Sequence, residues 1–287
     1  MSFNEFYFLT TPVGFTTLSG IIGLLIGSFL NVVIYRLPIM MKREWRNDCL
    51  EFLELENDDV PTDIFNLALP ASNCPNCQAK IQPWQNVPVL SYLLLRGKCA
   101  NCKTPISARY PVVELLTAIL SIIVAWHFGF GWQAAAGLVL TWVLIALSLI
   151  DLDTQLLPDV IVLPVLWLGL IASLFTIFID SSTSIIGATA GYLVLWSVYH
   201  GFKLFTGKEG MGYGDFKLLA MLGAWLGWQY LGVIILLSSL VGAFIGITLI
   251  SLNKHSRDVP IPFGPYLAIA GWIALLWGKS LNLYYFG

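Results

Sequence analysis

Charge is what this chain most lacks. Asp, Glu, Lys and Arg make up 11% of its 287 residues, against about a quarter in a soluble domain. So few charges cannot cover a water-facing surface, which excludes a soluble globular enzyme and a disordered chain. A basic excess is missing too. The net charge is −2, so there is no positive field for nucleic acid, and no nucleic-acid partner is expected. No Lys or Arg precedes Arg36. The positive n-region of a secretory signal is therefore absent, and the first apolar segment is expected to be retained. No serine has an evident Lys or His base. The three histidines, His127, His200 and His255, are scattered and suit interfacial anchoring or solvated loop positions. Apolar residues are abundant, at 57% with a mean hydropathy of +0.77. The expected fold class is all-α, a polytopic integral membrane protein with lipid as its surroundings.

A spanning helix needs about 20 mostly apolar residues. Uncharged or nearly uncharged runs occur at Gly14 to Tyr35, Pro111 to Phe128, Gly131 to Ile150, Val160 to Ile179, Thr183 to Phe202 and Val259 to Gly278. Leu218 to Leu252 is uncharged throughout and too long for one span, so it reads as two helices with a turn near Gly227 to Gly232. The count is eight. Placing the segment from Arg36 to Arg109 in the cytoplasm puts fourteen of the fifteen Lys and Arg on that side, including Lys203, Lys208, Lys217, Lys254 and Arg257; only Lys279 falls outside. The expected organisation is residues 1–36 as an N-terminal segment with helix one, 37–110 as a cytoplasmic loop, and 111–287 as a seven-helix membrane domain.

Four cysteines in the loop are patterned as Cys74-Pro75-Asn76-Cys77 and Cys99-Ala100-Asn101-Cys102. Two such knuckles supply a tetrahedral set of four thiolates, which suits structural zinc. A closed site of this kind organises a loop and leaves no open position for chemistry. Two disulfides, which a reducing cytoplasm disfavours, and free thiols are the alternatives. Cys49 lies outside the pattern and reads as an ordinary small side chain. Between the knuckles, Trp84 to Lys98 has an amphipathic middle able to lie on the membrane surface. Upstream, Glu44 to Asp63 holds eight acidic residues and Arg46, a pattern that reads as a solvated, flexible insertion.

Two acidic residues stand where apolar runs meet the cytoplasmic side. Asp151 follows the run ending at Ile150, and Asp215 opens helix six after Gly210-Met211-Gly212-Tyr213-Gly214. Carboxyls near a bilayer are costly and invite a functional reading. If two of them meet, they cannot both ionise easily, so they share a proton. The ionised group takes a proton from water while the protonated group polarises a peptide carbonyl, which gives hydrolysis without metal or covalent intermediate. An extended substrate could lie along Gly212 and Gly214, where the missing side chains allow close approach. Against this, Asp215 could simply cap its helix, and Asp153 and Asp159 are rivals of Asp151. A transporter with Asp151 and Asp215 as proton carriers is a second class of reading. However, transporters place such groups near the midplane and show repeated halves, and no repeat is seen. A structural subunit with a zinc-organised docking loop is a third.

The ordered motifs resemble the type IV prepilin peptidases, polytopic aspartyl proteases with a Gly-x-Gly-Asp signature. The resemblance rests on Gly27-Ser28-Phe29-Leu30-Asn31-Val32-Val33-Ile34-Tyr35-Arg36-Leu37-Pro38, the two cysteine knuckles, and Arg109-Tyr110-Pro111-Val112-Val113-Glu114. It also rests on Asp151 with Leu156-Leu157-Pro158-Asp159, and on Gly212-Tyr213-Gly214-Asp215-Phe216-Lys217. It implies an enzyme of the bacterial inner membrane, with Asp151 and Asp215 as the catalytic pair facing the cytoplasm. The substrates would be type IV prepilins and the pseudopilins of type II secretion, whose short basic leader is cut off after a glycine. The cysteine-bearing loop implies that the new N-terminal amine is then methylated from S-adenosylmethionine, and Gly97 matches a loop glycine tied to methylation. No Rossmann-like glycine signature for the methyl donor is present, and on the residues alone Gly97 serves equally as a turn into the second knuckle.

Overall fold

The structure, a computed structural model, describes residues 11–55, 64–208, 210–251 and 261–286. Among the described residues it is helical, with strand character only in two isolated bridges. The chain forms two compact units, Met1–Phe130 and Gly131–Gly287.

The first unit is built on α1 (Pro12–Phe52), the single turn α2 (Leu90–Leu94) and α3 (Arg109–Phe128). Thr11 starts α1: its hydroxyl accepts from the Gly14 N–H at 3.1 Å, and Pro12 takes the first helical position, where its missing N–H costs nothing. The helix then runs for 41 residues, about 62 Å. It passes well beyond the apolar run that ends at Tyr35, because nothing from Ile39 to Phe52 is Gly or Pro to stop it. The first part of the acidic stretch expected to be a flexible insertion is therefore helical, and Cys49 lies on that helix, exposed. Residues 56–63 lie outside the described residues.

Gly20, Gly23 and Gly27 form a smooth stripe against α3. A Cβ at Gly23 would stand 2.8 Å from the Ala118 Cα, and one at Gly27 would stand 2.7 Å from the Glu114 Cα. This is close helix packing of the small-xxx-small kind, which membrane helices use where lipid removes the hydrophobic drive to associate. Asn31 reinforces it by donating to the Gly27 and Tyr110 carbonyls, each at 3.2 Å. Buried Arg36 donates to the Asn66 and Pro70 carbonyls at 2.9 and 2.7 Å and lies over the Phe65 ring. The loop chain is thereby fastened to α1.

The second unit comprises α4 (Trp132–Thr154), α5 (Asp159–Leu174), α6 (Ser181–Thr206), α7 (Tyr213–Leu226), α8 (Leu231–Ser251) and α9 (Gly264–Phe286). At its centre is α7, where Phe216, Leu218, Leu219, Met221 and Leu222 are fully enclosed. Backbones touch where α6 crosses it: a Cβ at Gly187 would lie 2.3 Å from the Gly223 carbonyl oxygen, and one at Gly223 only 2.1 Å from that of Gly187. The Trp225 indole N–H anchors α7 to α5 through the Val165 carbonyl at 2.8 Å. The long uncharged run breaks at Gly227, whose φ of +94° only glycine adopts easily.

Each of the seven apolar runs contains helix among the described residues, and the all-α, multi-pass membrane class holds. By length and composition, five helices among the described residues are able to cross a membrane. The 16 residues of α5 and 14 of α7 reach only about 24 and 21 Å, short of a hydrocarbon core of about 30 Å. Lys254, Arg257 and His255 lie outside the described residues.

Candidate active site and metal centre

The two aspartates come from separate elements of the second unit. α4 continues past the membrane-like run to Thr154 and ends where Gln155 turns left-handed, its N–H bonding the Asp151 carbonyl. Asp151 therefore sits in the last helical turn rather than in a loop, and is 5% exposed. Asp215 is in the first turn of α7, 7% exposed. Its backbone N–H donates to the Gly212 carbonyl at 3.2 Å. The Asp151 carboxylate is near enough to act electrostatically on Asp215. Leu157 packs between the flanking segments: Cβ positions built at Gly214 and at Gly264 fall 2.8 and 3.2 Å from it. The other acidic residues of the α4–α5 connection are exposed, so Asp151 is the buried one.

Three features of this site were not read from the sequence. The first is Gly264, at the start of α9, whose N–H donates to Asp151 Oδ2 at 3.0 Å in a buried setting. The field at a helix N-terminus favours a carboxylate there. The only signal was the proline-flanked Pro262-Phe263-Gly264-Pro265, and 113 residues separate the bonded partners. The second is the ion pair of Lys217 with Asp159, at 2.6 and 2.8 Å. It ties the first turn of α5 to the second turn of α7. Asp159, a rival of Asp151 on the sequence alone, is thus a tether. The third is an aromatic cluster beside Asp215, in which Tyr199, Tyr213 and Phe216 meet at centroid distances of 5.3 to 5.6 Å. Gly212 is exposed at the start of α7, and Gly214 is tight against Leu157.

A Cβ at Gly264 would lie 2.7 Å from Asp151 Oδ2, so the carboxylate or α9 has to move. Gly264→Ala keeps the N–H but displaces the group it holds. A misplacement of about 1 Å costs on the order of 100-fold in a positioned reaction. The expected outcome is a fall in kcat of that order with little change in KM and normal thermal stability, measured by steady-state peptidase kinetics and a melting curve.

In the first unit, the four cysteine sulfurs of Cys74, Cys77, Cys99 and Cys102 lie within 4.8 Å of one another. The two knuckles repeat each other bond for bond. The Cys74 N–H donates to the Ala79 carbonyl and that of Cys99 to Thr104; the Gln78 N–H returns to Cys74 and that of Lys103 to Cys99. Gln78 and Lys103 share a left-handed φ of 58° and 61°. Asn76 reaches across to Cys102 Sγ at 3.7 Å, and Asn101 to Cys77 Sγ at 3.5 Å. Hydrogen bonding with Thr104 pulls the Cys102 thiol down to about 5, and the Asn101 amide lowers that of Cys77. Both changes favour the thiolate form that binds metal. The Cys74–Cys102 Sγ separation of 3.7 Å is far beyond an S–S bond of about 2.04 Å. It matches a tetrahedron with metal–sulfur bonds of about 2.3 Å. The donor set therefore fits a four-thiolate metal.

Gly97 is buried between α2 and the second knuckle, with φ of +66°. Its N–H donates to the Tyr92 carbonyl, and its own carbonyl accepts from Ile106. A Cβ there would stand 2.9 Å from the Tyr92 hydroxyl oxygen. Both its backbone angle and its packing exclude a side chain.

Comparison with known proteins agrees with this layout. Residues 21–128 match the model of the bacterial peptidase A24 N-terminal domain, and residues 138–247 match that of the type IV leader peptidase family. Curated relatives carry the name prepilin leader peptidase/N-methyltransferase. The one from Stutzerimonas stutzeri is 58% identical over 97% of this chain and 96% of its own length, and that from Pseudomonas aeruginosa is 59% identical with the same coverage. The Legionella pneumophila relative is 48% identical over 93% of both chains. No solved structure matches the chain. With both units covered by the family's models and its relatives aligned nearly end to end, the chain belongs to the type IV leader peptidase family.

Proposed function

We propose that this chain removes the leader from type IV prepilins and pseudopilins with Asp151 and Asp215, on the cytoplasmic face of the bacterial inner membrane. We propose further that it then methylates the exposed amine from S-adenosylmethionine. The observation that carries the peptidase reading is the convergence of two buried carboxylates, from α4 and α7, around Leu157 and the Gly264 N–H. A peptide bond lying along Gly212 and Gly214 would meet the pair. The ionised carboxylate takes a proton from water as its oxygen attacks the carbonyl carbon. The protonated one donates to the carbonyl oxygen, and collapse of the tetrahedral species passes a proton to the departing amine. The aspartates titrate as a unit, so neither is assigned the acid role alone. The Gly264 N–H keeps Asp151 oriented, and the Asp159–Lys217 pair holds the two helix starts together.

Cys74, Cys77, Cys99 and Cys102 would hold zinc, which supplies folding energy to a loop with little core of its own and takes no chemical step. In this reading the loop belongs to methylation, and Gly97 is its marked position. Gly97→Glu forces a side chain onto Tyr92 and a strained φ onto the turn. It is expected to lower methylation at least 10-fold while leader removal continues, as read by following both products from one prepilin. Equal loss of the two activities would refute a methylation role for Gly97. The function as a whole is tested by incubating the purified protein with a prepilin and the methyl donor.

A further inference from the structure

α2 is a single turn, yet its exposed face is wholly apolar. Leu90, Leu93 and Leu94, spaced as one helical face, are 60, 65 and 79% exposed, while Ser91 points inward and is buried. Such exposure equals or exceeds that of Val112 on α3, at 59%. Nothing in the zinc-binding or peptidase reading uses these leucines.

The depth of α2 is fixed by a bond. The N–H of Val89, the residue just before it, donates to Glu114 Oε2 at 2.7 Å. Glu114 is buried and is the sixth residue of α3, about 7 Å along a helix that is itself long enough to cross the bilayer. Glutamate side chains lean toward the helix N-terminus, so Val89 lies beside the first two turns of α3, where headgroups give way to acyl chains. Val89 has a φ of +59°, a conformation that a β-branched residue adopts only when held there. The turn that presents α2 is therefore fixed in place. Directly after it, Arg96 and Lys98 are exposed and are long enough to reach phosphates while their stems stay apolar.

We propose that α2 is seated in the interface of an anionic bilayer, with Leu90, Leu93 and Leu94 among the acyl chains and Arg96 and Lys98 at the headgroups. The knuckles are then carried on a loop whose middle is anchored in lipid. This seating is independent of which reaction the chain performs.

The test uses the full-length protein in vesicles containing phosphatidylglycerol. A photo-reactive p-benzoylphenylalanine replaces Leu94 in one variant, Val112 in a second and Gln78, exposed on the first knuckle, in a third. After illumination, intact-mass measurement reads lipid adducts. The expected result is an adduct at positions 94 and 112 and none at 78. Loss of the adduct at 94 with 112 still labelled would overturn the proposal, because the leucines would then face water or another protein. Phosphatidylcholine vesicles should reduce the yield at 94 but not at 112. Equal yields in both lipids at position 94 would remove Arg96 and Lys98 from the seating.

Discussion

Replacing either Asp151 or Asp215 by asparagine is expected to stop leader removal, lowering the rate by about 1,000-fold or more while the protein still inserts and folds. The reasoning is chemical. Asparagine keeps the size and hydrogen-bonding reach of aspartate but cannot take up or release a proton. A shared-proton pair then loses both of its roles, since each depends on the other's charge. The same logic sets the pH dependence of the unaltered enzyme: activity falls at low pH, when both carboxyls are protonated, and at high pH, when both are ionised, giving a bell. Asp153→Asn, at an exposed position one residue before the end of the same helix, is the control and should leave the rate within a few-fold. A rapid Asn variant at 151 or 215, measured against a prepilin at several pH values, would remove that residue from the chemistry.

The second large effect is expected at the knuckles. Structural zinc contributes on the order of 10 kcal/mol or more to the folding of small sites. Cys74→Ser removes one of four ligands, and Cys74 is the most buried of the set. The metal should be lost nearly completely, read by elemental analysis of purified protein. Protease sensitivity should rise between residues 64 and 108 while α1 and α3 stay resistant. The Gly20, Gly23 and Gly27 contacts that pair those helices do not involve the loop, so the membrane part of the first unit should survive. Wild-type protein with no metal and oxidised thiols would contradict the four-thiolate centre.

Much of this was legible because membrane helices announce themselves through composition. Every apolar run contains a helix, and the turn inside the longest run falls at Gly227, where a +94° φ demands glycine. The knuckles were legible because their repeat is local, each closing within six residues. Helix ends were less legible. Hydropathy marks where lipid stops, not where backbone hydrogen bonding stops, so α1 runs on to Phe52 and α4 through Asp151 to Thr154. Partners distant in sequence were not legible at all. The Gly264 N–H on Asp151 and the Lys217–Asp159 pair are made by tertiary packing across 113 and 58 positions, and neither residue's type reveals its partner.

The most direct measurement follows the mass of a purified prepilin incubated with this protein and S-adenosylmethionine. The wild type should yield a product lacking its leader and heavier by one methyl. Cys74→Ser should yield the shortened chain without the methyl, and Asp215→Asn should leave the prepilin untouched. A leaderless product from Asp215→Asn, or an intact prepilin after incubation with the wild type, would contradict the account.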